Sequence, residues 1–402
     1  MKCKLIILNI YLGIIMIFCN CQSQVTNYDD VIPILPTEAN STLFLSAIVD
    51  SVEYIRLETN EHSAMAEIRE IVIKDKYIYV REIDRKTIFI FDKMGKYVTK
   101  LDKRGDGPDQ YATLDQFLVD DDETYIEILD YRGQKSRILR YTNISFNLLE
   151  EFRFPVPTAN SWRKEKGKNI YYFACQQFEN EVGNEITNAD IIAVKDYSSQ
   201  KKLFEKNIIT NGYNYGATIE SLTTNEKGEV FASLMFSNTF YKLSDMKAVP
   251  IMTIDFGKFS MDNSYRLKST EEQLDYWVNK TEGMASFPVL NINSSNLFAF
   301  TYYFKSQGKN QLHQYLQFKN LNKVFHVKDV VNDLTSYPSK IYLSSYYFGV
   351  KHEVLHGDYL VDIVLPWHTN EGRIIDVPGV GSVEPEDNPV IVMMKLKKEY
   401  LK

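Results

Sequence analysis

His352-Glu353-Val354-Leu355-His356 places two histidines four residues apart around a glutamate. On a helix this spacing puts both imidazoles on one face, where they hold zinc while the carboxylate serves as general base. The surroundings do not favour such a helix. Gly349 and Gly357 bracket the motif, and strand-like runs stand on both sides. On a strand, positions four apart also share a face, but too far apart to meet at one metal. No third histidine follows at the spacing of a three-histidine zinc site, and Glu371 is an unanchored ligand. The motif therefore reads as a turn between strands, with His352 and His356 as the residues to test for zinc and no metal assigned.

A second candidate is the turn Gly105-Asp106-Gly107-Pro108, followed by Tyr111. Gly105 and Gly107 open backbone angles closed to other residues, and Pro108 fixes the exit. With Asp106 and Asp109 the turn has the means to meet a cation or a phosphate. It lacks the lysine and following helix of a P-loop, so it reads first as a connection between strands and second as a ligand loop. Asp120-Asp121-Asp122-Glu123 lacks the glycine of a calcium loop and reads as a solvated turn. Cys175 ends the apolar run 170–175 with no histidine near it in sequence, as expected of a buried, inert thiol. His62, His313, His326 and His368 are scattered, and no nucleophile elbow, Rossmann, Walker or C-x-x-C pattern occurs. With 53 Asp and Glu residues, sequence alone selects no catalytic pair.

The N-terminus carries an address. Lys2 and Lys4 precede an apolar run from Leu5 to Phe18, interrupted by Asn9. The run is shorter than the ~20 residues of a membrane span and fits the core of a secretory signal. It ends at Phe18-Cys19-Asn20-Cys21 and resembles a bacterial lipoprotein signal, with Cys21 as the lipidated residue and Cys19 as the alternative. Asn20 and Phe18 stand where such signals usually carry a small residue. This predicts an exported protein, lipid-anchored in the outer membrane or envelope and facing periplasm or surface. Membrane contact would be through the N-terminal lipid only. Residues 1–21 would be signal and anchor, 22–42 a tether and 43–402 one domain. Beyond the signal only Cys175 remains, so no internal disulfide is available and the fold must rest on its core. A net charge of −7 argues against nucleic acid as a partner.

The elements that would position these residues are short strands. Residues 68–111 alternate Val, Ile, Tyr and Phe over 71–73, 77–80, 87–91 and 97–101, between tight polar turns. This is an antiparallel meander, one blade of a β-propeller. Weaker copies follow: 116–119, 125–129, 136–141 and 148–154; then Trp162, 169–175, 190–194 and 202–206. After them come 229–234, 239–243 and 250–256; 289–292, 297–304, 311–318 and 323–327; and 341–348, 359–364 and 390–396. The last blade is one strand short, and 50–57 is a spare strand that would complete it and close the ring. Ser269 and Glu272 form a capping box ahead of Leu274, Trp277 and Val278, predicting a short helical insertion. The expected fold is all-β, a six-bladed propeller of four-stranded antiparallel blades closed by an N-terminal strand. Three copies of Tyr-Tyr-Phe, at 171–173, 302–304 and 346–348, would occupy corresponding strands and fill core space between blades.

Residues 49–111 resemble the N-terminal part of a family of six-bladed propeller lipoproteins common in Bacteroidetes. The resemblance lies in Asp50-Ser51-Val52-Glu53-Tyr54-Ile55 through Leu57-Glu58-Thr59, in the run 89–96, and in Gly105-Asp106-Gly107-Pro108 with Tyr111. The last matches the family's G-x-G-P-x-x-Y turn, with Gln110 where an acidic residue is usual. The resemblance implies an envelope propeller related in fold to NHL-type propellers, and it carries over no catalytic residues. The expected function is a binding module for an envelope glycan, peptide or protein, without a cofactor. The alternative is a propeller hydrolase holding calcium in its central tunnel.

Overall fold

The computed structural model describes residues 30–132, 136–176, 178–206, 221–347, 349–377 and 379–401. Most of the described strands assemble into six sheets, antiparallel in their four main strands, arranged as the blades of a propeller. Asn180–Val182 with Glu185–Thr187 and Ile375–Val377 with Gly381–Val383 form two separate two-stranded ribbons. Blade one is Ile68–Ile73, Tyr77–Glu82, Thr87–Asp92 and Tyr97–Leu101, and blade two is Gln116–Val119, Tyr125–Asp130, Arg137–Thr142 and Leu148–Arg153. Blade three is Ser161–Lys164, Ile170–Ala174, Ile191–Lys195 and Ser199–Leu203. Blade four is Leu222–Thr224, Val230–Ser233, Thr239–Ser244 and Lys247–Asp255, and blade five is Ala285–Asn293, Leu297–Ser306, Lys309–Phe318 and Lys323–Val331. In blade six Leu355–His356, Tyr359–Val364 and Val390–Leu396 are joined by Val49–Arg56, which pairs antiparallel with Val390–Leu396. The spare N-terminal strand thus closes the ring.

Strand periodicity explains the packing. Side chains alternate between the two faces of a blade, and each face meets a neighbouring blade. On Tyr77–Glu82, Ile78 and Val80 pack toward blade six, while Tyr79 between them packs toward blade two. Six apolar clusters follow this rule, each shared by two adjacent blades around the ring. Burial on both faces is why these strands read as nearly continuous apolar runs.

Three features differ from the expectation. The segment read as a tether already joins the sheets: Asp30–Pro33 pairs in parallel with the outermost strand of blade four, and Asn40–Phe44 with that of blade five. The stretch 341–348, of which 341–347 is described, does not supply the innermost strand of blade six. That place is taken by a broken strand, whose first half Val350–Lys351 leans onto blade one and whose second half Leu355–His356 stays with its own blade. Consequently Tyr346 does not occupy the position of Tyr171 and Tyr302, which lie on the second strands of blades three and five. The helix Thr270–Asn279 forms with its capping box complete, but it buries Thr270, Gln273 and Tyr276 and leaves Val278 exposed. Tyr276 wins the inward position because its ring stacks on Tyr265 at 3.7 Å and its hydroxyl accepts from Asp262 N at 2.8 Å. Among the described residues no helix is long and apolar enough to cross a membrane.

Candidate functional site

The innermost strand of each blade runs along the propeller axis, and together these strands enclose a cavity of about 700 Å³. All six strands end at the same face, so the six turns joining first to second strands form one rim. Lys74 and Asp75, Asp120 and Asp121, Lys166 and Gly167, Asn225 and Glu226, Ser294 to Asn296, and Gly357 and Asp358 all line the cavity.

Adjacent turns are tied to one another. Lys74 of blade one and Lys166 of blade three both reach Asp121 of blade two at 3.2 Å. Burial would raise the Asp121 pKa, but the two ammonium groups hold it below the usual carboxylate range. Lys166 N donates to Gly228 O at 3.4 Å, and Ser295 N to Glu226 Oε1 at 2.9 Å. Asn296 Nδ2 donates to Leu401 O at 3.0 Å, drawing the C-terminal turn Lys398–Tyr400 against the rim. Lys93 Nζ donates to Lys74 O and lies 3.5 Å from His356 Nε2, linking blade one to blade six. Such cross-blade contacts pre-organise the rim before any ligand arrives.

The acidic run of blade two is occupied by structural duties. Asp120 accepts from Thr124 N, Thr124 Oγ1 and Tyr125 N, closing its own turn. Glu123 reaches blade one, accepting from Lys76 N at 2.6 Å, Tyr77 N at 3.1 Å and the Tyr79 hydroxyl at 2.9 Å. Further in, Glu127 is buried and takes Arg140 at 2.7 Å and the Tyr171 hydroxyl at 2.9 Å, with Lys164 3.7 Å away. Among the described residues no group of three His, Cys, Asp or Glu side chains is disposed to hold a metal ion.

The two histidines of the HExxH motif both line this cavity, yet the motif is not helical. It spans the break in the innermost strand of blade six, between Val350–Lys351 and Leu355–His356. His352 is 4% exposed, and burial pulls its pKa down to about 4 against a backbone hydrogen bond with Val350 that acts to raise it. His356 instead sits beside Lys93, with its Nδ1 3.9 Å from Glu353.

The Gly105–Tyr111 turn lies elsewhere. It connects the last strand of blade one to the first strand of blade two, so it meets that strand at the end opposite the rim, and none of its residues lines the cavity. Gly105 has φ +150°, and a Cβ there would come within 2.2 Å of Gln110 Oε1, the atom that accepts from Gly107 N at 2.8 Å. Tyr111 is buried with its hydroxyl 2.7 Å from Lys86 O and 3.1 Å from Leu101 O. Asp106 is 94% exposed beside Arg132, whose Nη2 donates to Gly105 O at 3.2 Å, and Arg137 donates to Gln110 O at 2.6 Å. These contacts serve to hold the connection. Cys175 is a buried free thiol whose pKa burial raises, as its apolar setting implied. Cys21 lies outside the described residues.

No curated protein matches the sequence. Among solved structures, a Bacteroides fragilis protein described as exported superposes with a TM-score of 0.66 at 16% identity, over 92% of this chain and 100% of that one. A member of the DUF4221 family from Bacteroides vulgatus gives a TM-score of 0.50 at 10% identity, over 87% of this chain and 97% of the other. At these identities the likeness is one of fold. Residues 29–395 match a domain of unknown function, DUF4934, and the chain belongs to that family.

Proposed function

We propose that this chain is an exported, lipid-anchored envelope protein whose propeller is a binding module, taking its ligand at the rim formed by the six first-to-second-strand turns. One observation carries this reading: a cavity of about 700 Å³ is open to turns from every blade, and those turns are held by contacts between blades. A concave site with convergent polar groups on rigid elements suits recognition of an envelope peptide, glycan or protein. The basic and apolar N-terminal stretch ending at Cys21 supports export and anchoring, and the exported Bacteroides fragilis neighbour is consistent with them.

The test pairs ligand arrays with a blocked rim. Ser295 is exposed on the rim, and Ser295→Trp would fill the entrance without touching the core. Binding to envelope peptide or glycan arrays should be lost in this variant while its unfolding midpoint is unchanged. Binding retained at full strength would refute the site. For the anchor, Cys21→Ser should move the protein from the membrane to the soluble fraction; unchanged membrane association would refute lipidation there.

A further inference from the structure

The rim face is divided in charge. Its acidic turns, with Asp75, Asp120 to Asp122 and Asp358, belong to blades one, two and six. On blades three, four and five the rim turns expose Lys195, Lys227, Lys247, Lys319 and Lys323. None of these five lysines is in an ion pair among the described residues. Lys319 donates to Asn293 Oδ1 at 3.0 Å and Lys323 to the Tyr400 hydroxyl at 2.6 Å, both neutral partners. The acids of this sector are largely taken: Lys168 holds Glu165 at 2.7 Å and Asp245 at 2.6 Å, and Lys242 holds Glu229 at 2.5 Å. Lys195 and Lys247 act on Asp245 only at longer range. Between Lys319 and Lys323, Leu321 stands 47% exposed.

The path of the chain is a second, independent observation. Asp30–Pro33 runs parallel to Lys247–Asp255, which starts at the rim and ends at the far face, so the chain ahead of Asp30 approaches from the rim side. Asp30 pairs with Met252, five residue steps past Lys247 and about 17 Å below the rim. The nine steps from Cys21 to Asp30 reach at most about 30 Å. A lipid on Cys21 would therefore hold the rim edge of blade four within about 15 Å of the membrane. That edge is the middle of the lysine-bearing sector. The far face is opposite in character. Its insertions 175–190 and 365–389 expose Glu179, Glu181, Glu371, Asp376, Glu384 and Glu386, with Arg373 as their one Lys or Arg. Anionic headgroups attract the first surface and repel the second.

We propose that the rim edge of blades three to five docks on an anionic phospholipid surface. Lys195, Lys227, Lys247, Lys319 and Lys323 meet the headgroup phosphates, and Leu321 enters the headgroup layer. The propeller then leans on this edge, with the acidic side of the cavity mouth, on blades one, two and six, turned away from the membrane. This rests on the reading of Cys21 as the lipid anchor and adds the face that the anchored domain presents to its membrane.

The test reads orientation on vesicles of equal parts phosphatidylglycerol and phosphatidylcholine carrying the lipidated full-length protein. Leu321→Cys, Met94→Cys and Ile374→Cys each place one thiol for a fluorescent label, on the docking edge, on the blade-one rim and on the far face; Cys175 is buried and takes none. Energy transfer to an acceptor on the lipid headgroups should be strongest from Leu321→Cys and weakest from Ile374→Cys, by about twofold or more for faces about 30 Å apart. A Lys195→Gln/Lys227→Gln/Lys247→Gln background, altered only at exposed side chains, should remove most of that difference, as should vesicles of phosphatidylcholine alone. Equal transfer from all three sites, or strongest transfer from Ile374→Cys, would overturn the inference. So would a preference for Leu321→Cys that persists in the triple variant, because the tether alone would then set the orientation. Protein that leaves the vesicles altogether would overturn the anchor, and this inference with it.

Discussion

Asp362 lies on the second strand of blade six, 1% exposed, with Tyr342 N donating to Oδ2 at 3.2 Å and Ile363 N to Oδ1 at 2.8 Å. Burial pushes its pKa up to about 7. The unfolded value is about 3.9, so the folded chain holds the extra proton between about pH 4 and pH 7. Stability from this residue therefore falls as pH rises through that window, by about 4 kcal/mol at most. His313, His326 and His352 act in the opposite sense. Burial pulls each down to about 4, so the unfolded chain takes up protons first and stability falls as pH drops from about 6.5 to about 4. Three imidazoles outweigh one carboxyl, and the protein should lose stability on acidification. In urea unfolding, Asp362→Asn should make that acid loss steeper and help more at about pH 8 than at about pH 5; a variant with the wild-type pH slope would show that Asp362 is ionised in the folded protein throughout. Glu123 invites a second measurement. Glu123→Ala strips the acceptor from Lys76 N, Tyr77 N and the Tyr79 hydroxyl and should cost about 2–3 kcal/mol in urea unfolding. A cost below about 0.5 kcal/mol, the range of ordinary surface changes, would mean the link between blades one and two is not made.

At the scale of elements, the N-terminal stretch lies along three blades in succession, edging blades four and five before completing blade six. Removing residues 1–39 takes away Asp30–Pro33 and Ile34, which packs in the cluster between blades four and five. This should lower the melting temperature yet leave a cooperative monomer. Removing residues 1–57 exposes the edge of Val390–Leu396 and opens the ring, so loss of cooperative unfolding or aggregation in size-exclusion chromatography is expected. A stable monomer from the second truncation would contradict closure by the N-terminal strand. Blades one and two were legible because each strand alternates cleanly and is bounded by polar turns, down to the Gln116–Val119 strand. Leu222–Thr224, the inner strand of blade four, was not read because three residues carry no period. The inner strand of blade six was misplaced because Tyr346 and its neighbours look more strand-like than Val350–Lys351 and Leu355–His356, which pairing with two different blades holds in place. The inward face of the helix was read in part: of Leu274, Trp277 and Val278, Trp277 packs on Phe287 at 5.5 Å, Leu274 is half-buried and Val278 is exposed, while stacking and a hydrogen bond give Tyr276 the most buried position.

At the scale of the whole molecule, the candidate site is a consequence of topology. Each rim turn is unremarkable alone, and Lys74, Asp121, Asn225, Ser295 and Asp358 are far apart in sequence. Knowing that every first-to-second-strand turn falls on one face would have gathered them, but doing so required the inner strands of blades four and six. The glycine turn at 105–111 was easier to notice because glycine and proline punctuate strongly, and the HExxH motif because it has a familiar spacing; only the latter reaches the cavity. The proposed entry point for ligands is the six-turn rim. Hydrogen exchange of the full chain with and without an envelope peptide and glycan fraction tests it most directly. Protection should rise at 74–76, 120–123, 166–168, 225–228, 294–296 and 357–358 and stay unchanged at 103–111. Protection confined to 103–111 or to the outer strands, with the rim unaltered, would contradict the account.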